Sequence, residues 1–398
     1  MIRKTYMLIL IILISIKAYS FDVLQDDETR VIFYSVGQGN CTLIETTDVK
    51  RTSEEDKKII KYITLIDAGS SQSPPQFKKL DIKQFVEKVA HEVGSHFQGA
   101  DEKHIKVILS HPDLDHINLM EKVLVKISAE HDSSIEFFMG GDENIWEETK
   151  TARKLKEYIK NHPRSFTFAS SSERPTTRLT IGDSKINFLF FRCEEALDSN
   201  SSSLVVMYEF GNIVALIPGD ATAKTEEHMR KAGVLKKPEG KKLIALASHH
   251  GAKIDCNTPG WVEAFQPDYA VISTSGSHAG FEHPSEIIVS RYSKYSEDDP
   301  STNTNHTLTC YIDAFNQVEA SVSEINPHVK KAIEETLRSH ESQGALEFST
   351  LSPLQQFILR VELSTKKAIY STADSGDISF TWNFTQNDHP KVELRKVA

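Results

Sequence analysis

Four ionisable side chains fall within six residues at His111-Pro112-Asp113-Leu114-Asp115-His116. Two carboxylates this close repel each other, and burying them raises the cost. A divalent cation converts that repulsion into binding energy. Imidazole and carboxylate together, with no thiolate nearby in the sequence, suit zinc, manganese or iron. The ordinary alternative is a solvated acidic turn that caps the next helix. Asp67, Asp220 and the adjacent pair His249-His250 add further acids and imidazoles downstream and upstream.

Each of these groups follows a run that reads as a strand. Lys61–Ile66 ends at Asp67, Ile105–Leu109 runs into His111, Ile213–Ile217 ends at Asp220, and Leu243–Leu246 ends just before His249. Rigid strands aim the loops at their ends, so dispersed groups that all obey this placement are expected to converge. Other strands are read at Val31–Val36, Cys41–Ile44, Lys185–Phe191, Ser203–Tyr208 and Tyr269–Ser273, with 47–60 as a polar hairpin tip. Helical spacing covers 79–94, and helices are expected from near Ile117, from near Thr225 and over Gly260–Phe265. An exposed charged helix is read at 324–343, and a hairpin over 366–383 around Asp374-Ser-Gly376-Asp377. Strands interspersed with helices, in two halves, predict an α/β fold with αββα layering.

Bulk properties narrow the class. The chain has 398 residues, 39% hydrophobic and 26% charged, a composition that supports a packed core and argues against wholesale disorder. No fixed-period repeat suggests a solenoid. Residues 1–20 have a basic start at Arg3-Lys4, an apolar run from Tyr6 to Ile16, and small residues at Ala18 and Ser20. That is the pattern of a secretory signal peptide, too short for a spanning helix of roughly 20 apolar residues. An exported protein, periplasmic or secreted, with no transmembrane segment after cleavage is expected. The full chain carries 46 basic and 56 acidic residues; losing Arg3, Lys4 and Lys17 leaves 43 against 56, net −13. An acidic surface repels phosphate backbones at long range, so strong duplex nucleic-acid binding is not expected. Cys41, Cys193, Cys256 and Cys310 match no zinc finger or CxxC spacing. One or two disulfides and free buried thiols are equally compatible with them.

The chemistry-bearing segment resembles the metal-binding signature of the metallo-β-lactamase superfamily, with Asp113 where the usual form has a second His. The Asp variant is similar to one branch, the soluble domain of the ComEC-type DNA-uptake competence protein and its stand-alone relatives. Further pieces match that branch in order: Val36-Gly37-Gln38-Gly39, Ile66-Asp67-Ala68-Gly69, Asn200-Ser-Ser-Ser203, Gly219-Asp220, His249-His250-Gly251, His283-Pro284 and Asp374-Ser-Gly376-Asp377. The match runs over about 30–290 with a return at 366–383. It implies a four-layer αββα hydrolase domain over 25–390, with the 324–343 helix as an insertion.

The resemblance also implies roles. His111 and Asp113 would hold one metal, and Asp115 and His116 the second. Asp220 would bridge them, and one of His249 and His250 would complete the second site. The cofactor implied is two Zn2+ ions, or Mn2+ in their place. Asp67 would accept a ligand imidazole's N–H, and Asn200 stands where the superfamily usually has another His. His131 and His162 read as surface histidines. Asp115 would also align the attacking water, and His283, or whichever of His249 and His250 is not a ligand, would protonate the leaving group. Lys253 and Arg291 are the nearest candidate phosphate contacts. The reaction implied is hydrolysis of a phosphodiester in a small molecule or oligonucleotide. An ester, lactone or β-lactam hydrolase is the alternative, and a metal-free binding protein of the same fold the second.

Overall fold

The computed structural model describes residues 24–395 apart from 52–56, 72–79, 132–133, 141–143, 162–165, 169–175, 182–185, 192, 194–197, 235, 276, 279–280, 299–305, 314–357 and 384–388. The expected leader at 1–20, the helix at 324–343 and His162 lie outside the described residues.

Two mixed sheets face each other. The first has eight strands: β1 (Glu28–Phe33), β2 (Thr42–Arg51), β3 (Lys57–Ile66), β4 (Glu102–Leu109), β5 (Ser134–Met139), β6 (Phe166–Phe168), β18 (Asp377–Asn383) and β19 (Lys391–Arg395). Their spatial order is β19-β18-β1-β2-β3-β4-β5-β6, with β3 to β6 mutually parallel. The second has seven: β7 (Thr176–Ile181), β8 (Ile186–Phe191), β9 (Val205–Phe210), β10 (Ile213–Ile217), β11 (Lys242–Leu246), β12 (Tyr269–Ile272) and β17 (Ile369–Ser371). Its order is β17-β12-β11-β10-β9-β8-β7, with β10, β11, β12 and β17 parallel. Between β12 and β17 in the chain lie two short pairs, β13 (Ser277–His278) with β14 (Phe281–Glu282), and β15 (His306–Asp313) with β16 (Ile358–Thr365).

Three apolar clusters hold the layers together. Period-2 alternation sends Val31, Phe33, Ile44 and Ile66 of the first sheet against Phe188, Val206, Tyr208 and Ile244 of the second. The opposite faces bury helices. Helices α1 (Ile82–His96), α3 (Met120–Glu130) and α4 (Lys150–Asn161) cover the first sheet through Phe85, Val89, Val123, Leu124 and Leu155; the one-turn α2 (Leu114–Ile117) precedes α3. Helices α5 (Ala223–Lys231), α6 (Pro259–Phe265) and α7 (Glu286–Ser293) cover the second through Met229, Trp261 and Ile288. The layering is αββα, as the strand and helix pattern predicts.

Two local expectations change, and one alternative left open by the sequence is resolved. Residues 366–383 do not form a hairpin. Strand β17 pairs with β12 in one sheet and β18 pairs with β1 in the other, with the short α8 (Thr372–Ser375) between them. A run of β-forming residues does not specify its partner: β17 forms one edge of the seven-stranded sheet, whereas β18 lies inside the eight-stranded sheet between β1 and β19. The polar tip at 47–60 is mostly strand, because β2 and β3 pair from Thr42↔Ile66 out to Arg51↔Lys57. All four cysteines are free and buried.

Candidate metal centre

The carboxyl ends of β3, β4, β10 and β11 come together where the two sheets meet, each followed by a loop that carries an acid or imidazole. Small residues let the loops touch. A Cβ on Gly69 would sit 2.3 Å from the carbonyl carbon of Asp115, so the Asp67-Ala-Gly turn lies directly on the 110–116 loop. A Cβ on Gly219 would sit 2.8 Å from Cβ of Ser110, which brings Asp220 in from the second sheet.

Asp220 is the focus. His116 Nε2 lies 3.0 Å from its Oδ1, and His249 Nε2, His250 Nε2 and His111 Nε2 lie 3.6, 3.7 and 4.0 Å from its Oδ2. His250 Nε2 is also 3.3 Å from Asp115 Oδ2. Two compact triads result, His111/His116/Asp220 and Asp115/His116/His250, each with its donor atoms within 4.8 Å of one another. They share His116.

The tautomers are set from behind. His116 Nδ1 donates to Asp67 Oδ2 at 2.8 Å, which leaves Nε2 as the lone-pair nitrogen. Ser110 Oγ donates to the same oxygen of Asp67 at 2.6 Å, and so accepts from His111 Nδ1 at 3.0 Å. Ser203 Oγ accepts from the Asp220 backbone N–H and lies 3.1 Å from His111 Nδ1. His250 Nδ1 donates to the Ser273 carbonyl at 2.9 Å. Every one of these contacts turns an Nε2 lone pair toward Asp220.

The residues fit a divalent cation. The Nε2 atoms of His111, His116 and His250 and Oδ1 of Asp220 are buried and make no hydrogen bond. Buried polar atoms without partners are rare and costly, and a cation among them would satisfy all four. The donors are nitrogen and oxygen, the set for zinc, manganese or iron. The local field favours positive charge beside Asp220, which a proton on His116 or a metal ion in its place would supply. Burial works against ionisation of Asp220, yet the imidazoles of His116 and His250 overcome it and hold the carboxyl well below its usual range. Burial likewise opposes charge on His116, and Asp220 and Asp67 outweigh it and raise the imidazole well above its usual value. Asp115, also buried, is brought down to about 2 by His250 and His116. The cluster has capacity for one or two divalent ions.

The two histidines left unresolved in sequence separate here. His250 is 1% exposed and belongs to a triad, whereas His249 is 29% exposed at the side chain and faces His283, ring centroids 6.4 Å apart. Both hold left-handed backbone, φ 49° and ψ 48° for His249 and φ 56° and ψ 22° for His250. For residues with a Cβ this costs on the order of 1–2 kcal/mol each.

Asp113 stands apart from both triads. It is 3.6 Å from His111 Nε2 but 42% exposed, and it accepts from Ser199 Oγ at 2.5 Å. Asn200 follows Ser199 and buries its Oδ1 without a hydrogen bond. Lys253 is half-buried two residues past Gly251. Arg291, a candidate phosphate contact by sequence, donates from Nη1 to the Asn257 carbonyl at 2.9 Å. His131 packs edge-on against Phe97 on the helical side of the first sheet, in the cluster of α1 and α3. The three tryptophans are core residues, each at most 1% exposed. Ser110, Ser199, Ser273 and Asn257 were not legible as site residues, since hydroxyls and amides in loops carry no spacing signal.

No family model matches the sequence, and no curated protein matches it. The fold is the metallo-β-lactamase sandwich. Its two mixed sheets with helices on both outer faces carry that assignment. Among solved structures the chain is similar to a diphosphatase of the PhnP family, at 14% identity over 62% of this chain and 86% of that one, TM-score 0.30. It is similar to the short form of human tRNase Z, at 14% identity over 61% and 92%, TM-score 0.35. It is also similar to the metallo-β-lactamase fold protein YhfI from Bacillus subtilis, at 9% identity over 68% and 94%, TM-score 0.38. Likeness at this level bears on neither substrate nor activity.

Proposed function

We propose that this chain is an exported, metal-dependent hydrolase acting on a phosphodiester in a nucleotide or short oligonucleotide. The observation that carries the hydrolase reading is the convergence of four imidazoles on one buried carboxylate, Asp220, with Nε2 atoms between 3.0 and 4.0 Å away. His111, His116, His250, Asp115 and Asp220 would hold the metal, with Asp113 at the open side. A bound divalent ion lowers the pKa of water and neutralises charge that develops at the attacked centre. The chain's own residues do the rest. Asp115, besides holding the metal, aligns the attacking water through its carboxylate. Asp67 and Ser110 keep His116 and His111 in the ligating tautomer. His249 and His283, adjacent and nearer the surface, are placed to give a proton to the leaving group.

Phosphodiester specificity rests on the resemblance of the 111–116 segment to the competence-protein branch, and export rests on the residue pattern of 1–20. No helix among the described residues is long and apolar enough to cross a membrane. A second reading, hydrolysis of an ester or lactone, is favoured by the exposure of Leu114 (49%) and Ile254 (74%) in the two loops that carry the imidazoles, which offers apolar contact to an acyl group. Purified protein assayed with bis(p-nitrophenyl) phosphate, p-nitrophenyl acetate and a chromogenic β-lactam separates the readings. Turnover of the phosphodiester that is abolished by chelator and restored by Zn2+ or Mn2+ is expected. Turnover of the acetate or lactam alone would replace the first reading by the second. Mass spectrometry of the mature protein from a secreting host, with the N-terminus at residue 21, tests export.

A further inference from the structure

The 248–251 loop must keep two consecutive histidines in left-handed backbone, and one side chain outside the ligand set bonds both ends of this turn. Asn257 is fully buried. Its Oδ1 accepts from the Ser248 N–H at 2.9 Å and from the Tyr292 hydroxyl at 3.0 Å. Its Nδ2 donates to the Ser248 carbonyl at 2.8 Å and lies 3.4 Å from the Ala252 carbonyl. One amide thus spans the turn from the residue before His249 to the residue after Gly251. An amide alone among neutral side chains offers both two donors and an acceptor on one planar group, so no smaller polar residue could bridge both ends.

Asn257 is itself anchored on a rigid base. Its backbone is left-handed at φ 50°, its carbonyl accepts from Arg291, and Tyr292 and Arg291 both stand on α7. The next residue, Thr258, caps α6 and donates its N–H to Glu226 of α5 at 3.0 Å. Three helices therefore fix the amide, and the amide fixes the turn.

We infer that Asn257 is a positioning residue for the metal centre: its amide locks the His249-His250 turn so that the His250 Nε2 lone pair meets Asp220 and Asp115. This rests on the metal-binding reading of the site. Groups that orient ligands without touching the ion commonly account for 10–100-fold in metal affinity.

The test uses Co2+ as the metal alone, with affinity from calorimetry and ligand geometry from the visible band of the cobalt form. Asn257→Gly is the informative variant, because glycine tolerates φ 50° and only the amide is lost. Leu124→Ala, in the core of the other sheet, controls for general destabilisation. Expected are a 10–100-fold weaker affinity and an altered band for Asn257→Gly, with Leu124→Ala less stable but unchanged in both. Asn257→Gly binding cobalt within twofold of the parent with the same band overturns the inference. If Asn257→Gly does not fold, Tyr292→Phe decides: an altered band supports the lock, an unaltered one overturns it. A parent protein that does not bind Co2+ overturns instead the reading of the site on which the inference stands.

Discussion

Two loops deliver imidazoles to Asp220, and they are held by different physics. Behind the 110–116 loop stands a buried carboxylate. Asp67 accepts from the Ser110 N–H at 2.7 Å, from Ser110 Oγ at 2.6 Å and from His116 Nδ1 at 2.8 Å, so one charge organises the loop's backbone and two tautomers. Behind the 248–251 loop stand neutral groups, the Asn257 amide and the Ser273 carbonyl, and the turn itself is strained. The first loop is held by charge and should respond to removal of that charge. The second is held by shape and should respond to lost hydrogen bonds. Asp220, to which both loops point, depends on neither alone.

The largest effect is therefore expected at the shared point. Asp220→Ala leaves the Nε2 atoms of both loops without their common anion, and should abolish metal retention and lower kcat/KM by about 1,000-fold, ~4 kcal/mol. Inductively coupled plasma mass spectrometry and a phosphodiester assay check it; retained metal would show that the loops converge for another reason.

Next come the two histidines of the strained turn. His250→Ala removes a member of a buried triad and should weaken metal affinity roughly 100-fold or more, whereas His249→Ala should leave affinity within about tenfold and lower kcat instead. Equal losses of affinity would erase the distinction between a ligand and a proton donor.

The charge-held loop gives a smaller and more diagnostic effect. Asp67→Asn keeps the shape but replaces the charge that stabilises the N–H of His116, so metal affinity should fall about 10–100-fold while the fold persists. Ser110→Ala, which removes one of three donors to Asp67 and one of two hydroxyls beside His111 Nδ1, should fall less. A Ser110 effect larger than that of Asp67 would reverse the order of dependence argued here.

How much of this was legible in sequence differs between the loops for the same reason. Asp67 was visible because it ends a strand and stands in a recognisable turn, and a lone buried acid needs an explanation. Asn257 was not, since a neutral loop amide seven residues past His250 has neither periodicity nor charge to mark it. The layer order was readable because alternation and helical spacing report burial directly. Partner choice was not: residues 369–371 and 377–383 have the same β character but join opposite sheets, and only long-range pairing distinguishes them. Strands β15 and β16 and the highly charged helix α4 also went unread.

An effect on stability rather than on metal affinity concerns the base of the shape-held loop. Burial raises the Glu226 carboxyl from 4.5 to about 7, against the pull of its bonds to Thr258. Below pH 4.5 both folded and unfolded chains keep this proton. Between 4.5 and about 7 the unfolded chain loses it while the folded chain holds it, so stability falls as pH rises, by at most about 3 kcal/mol, and levels off above 7. Glu226→Gln keeps an acceptor for the Thr258 N–H and removes the titration. Its melting temperature should draw ahead of the parent's between pH 5 and pH 8; parallel curves would place the proton elsewhere.

The central claim is that both loops converge because they share an inorganic cation. Metal content of the full-length protein, purified without chelator and measured per chain, tests it most directly. One or two divalent ions per chain, lost together with activity in Asp220→Ala, is the expected result. Less than one ion per chain in the parent, with the fold intact and no metal taken up on titration with Zn2+ or Mn2+, would contradict it.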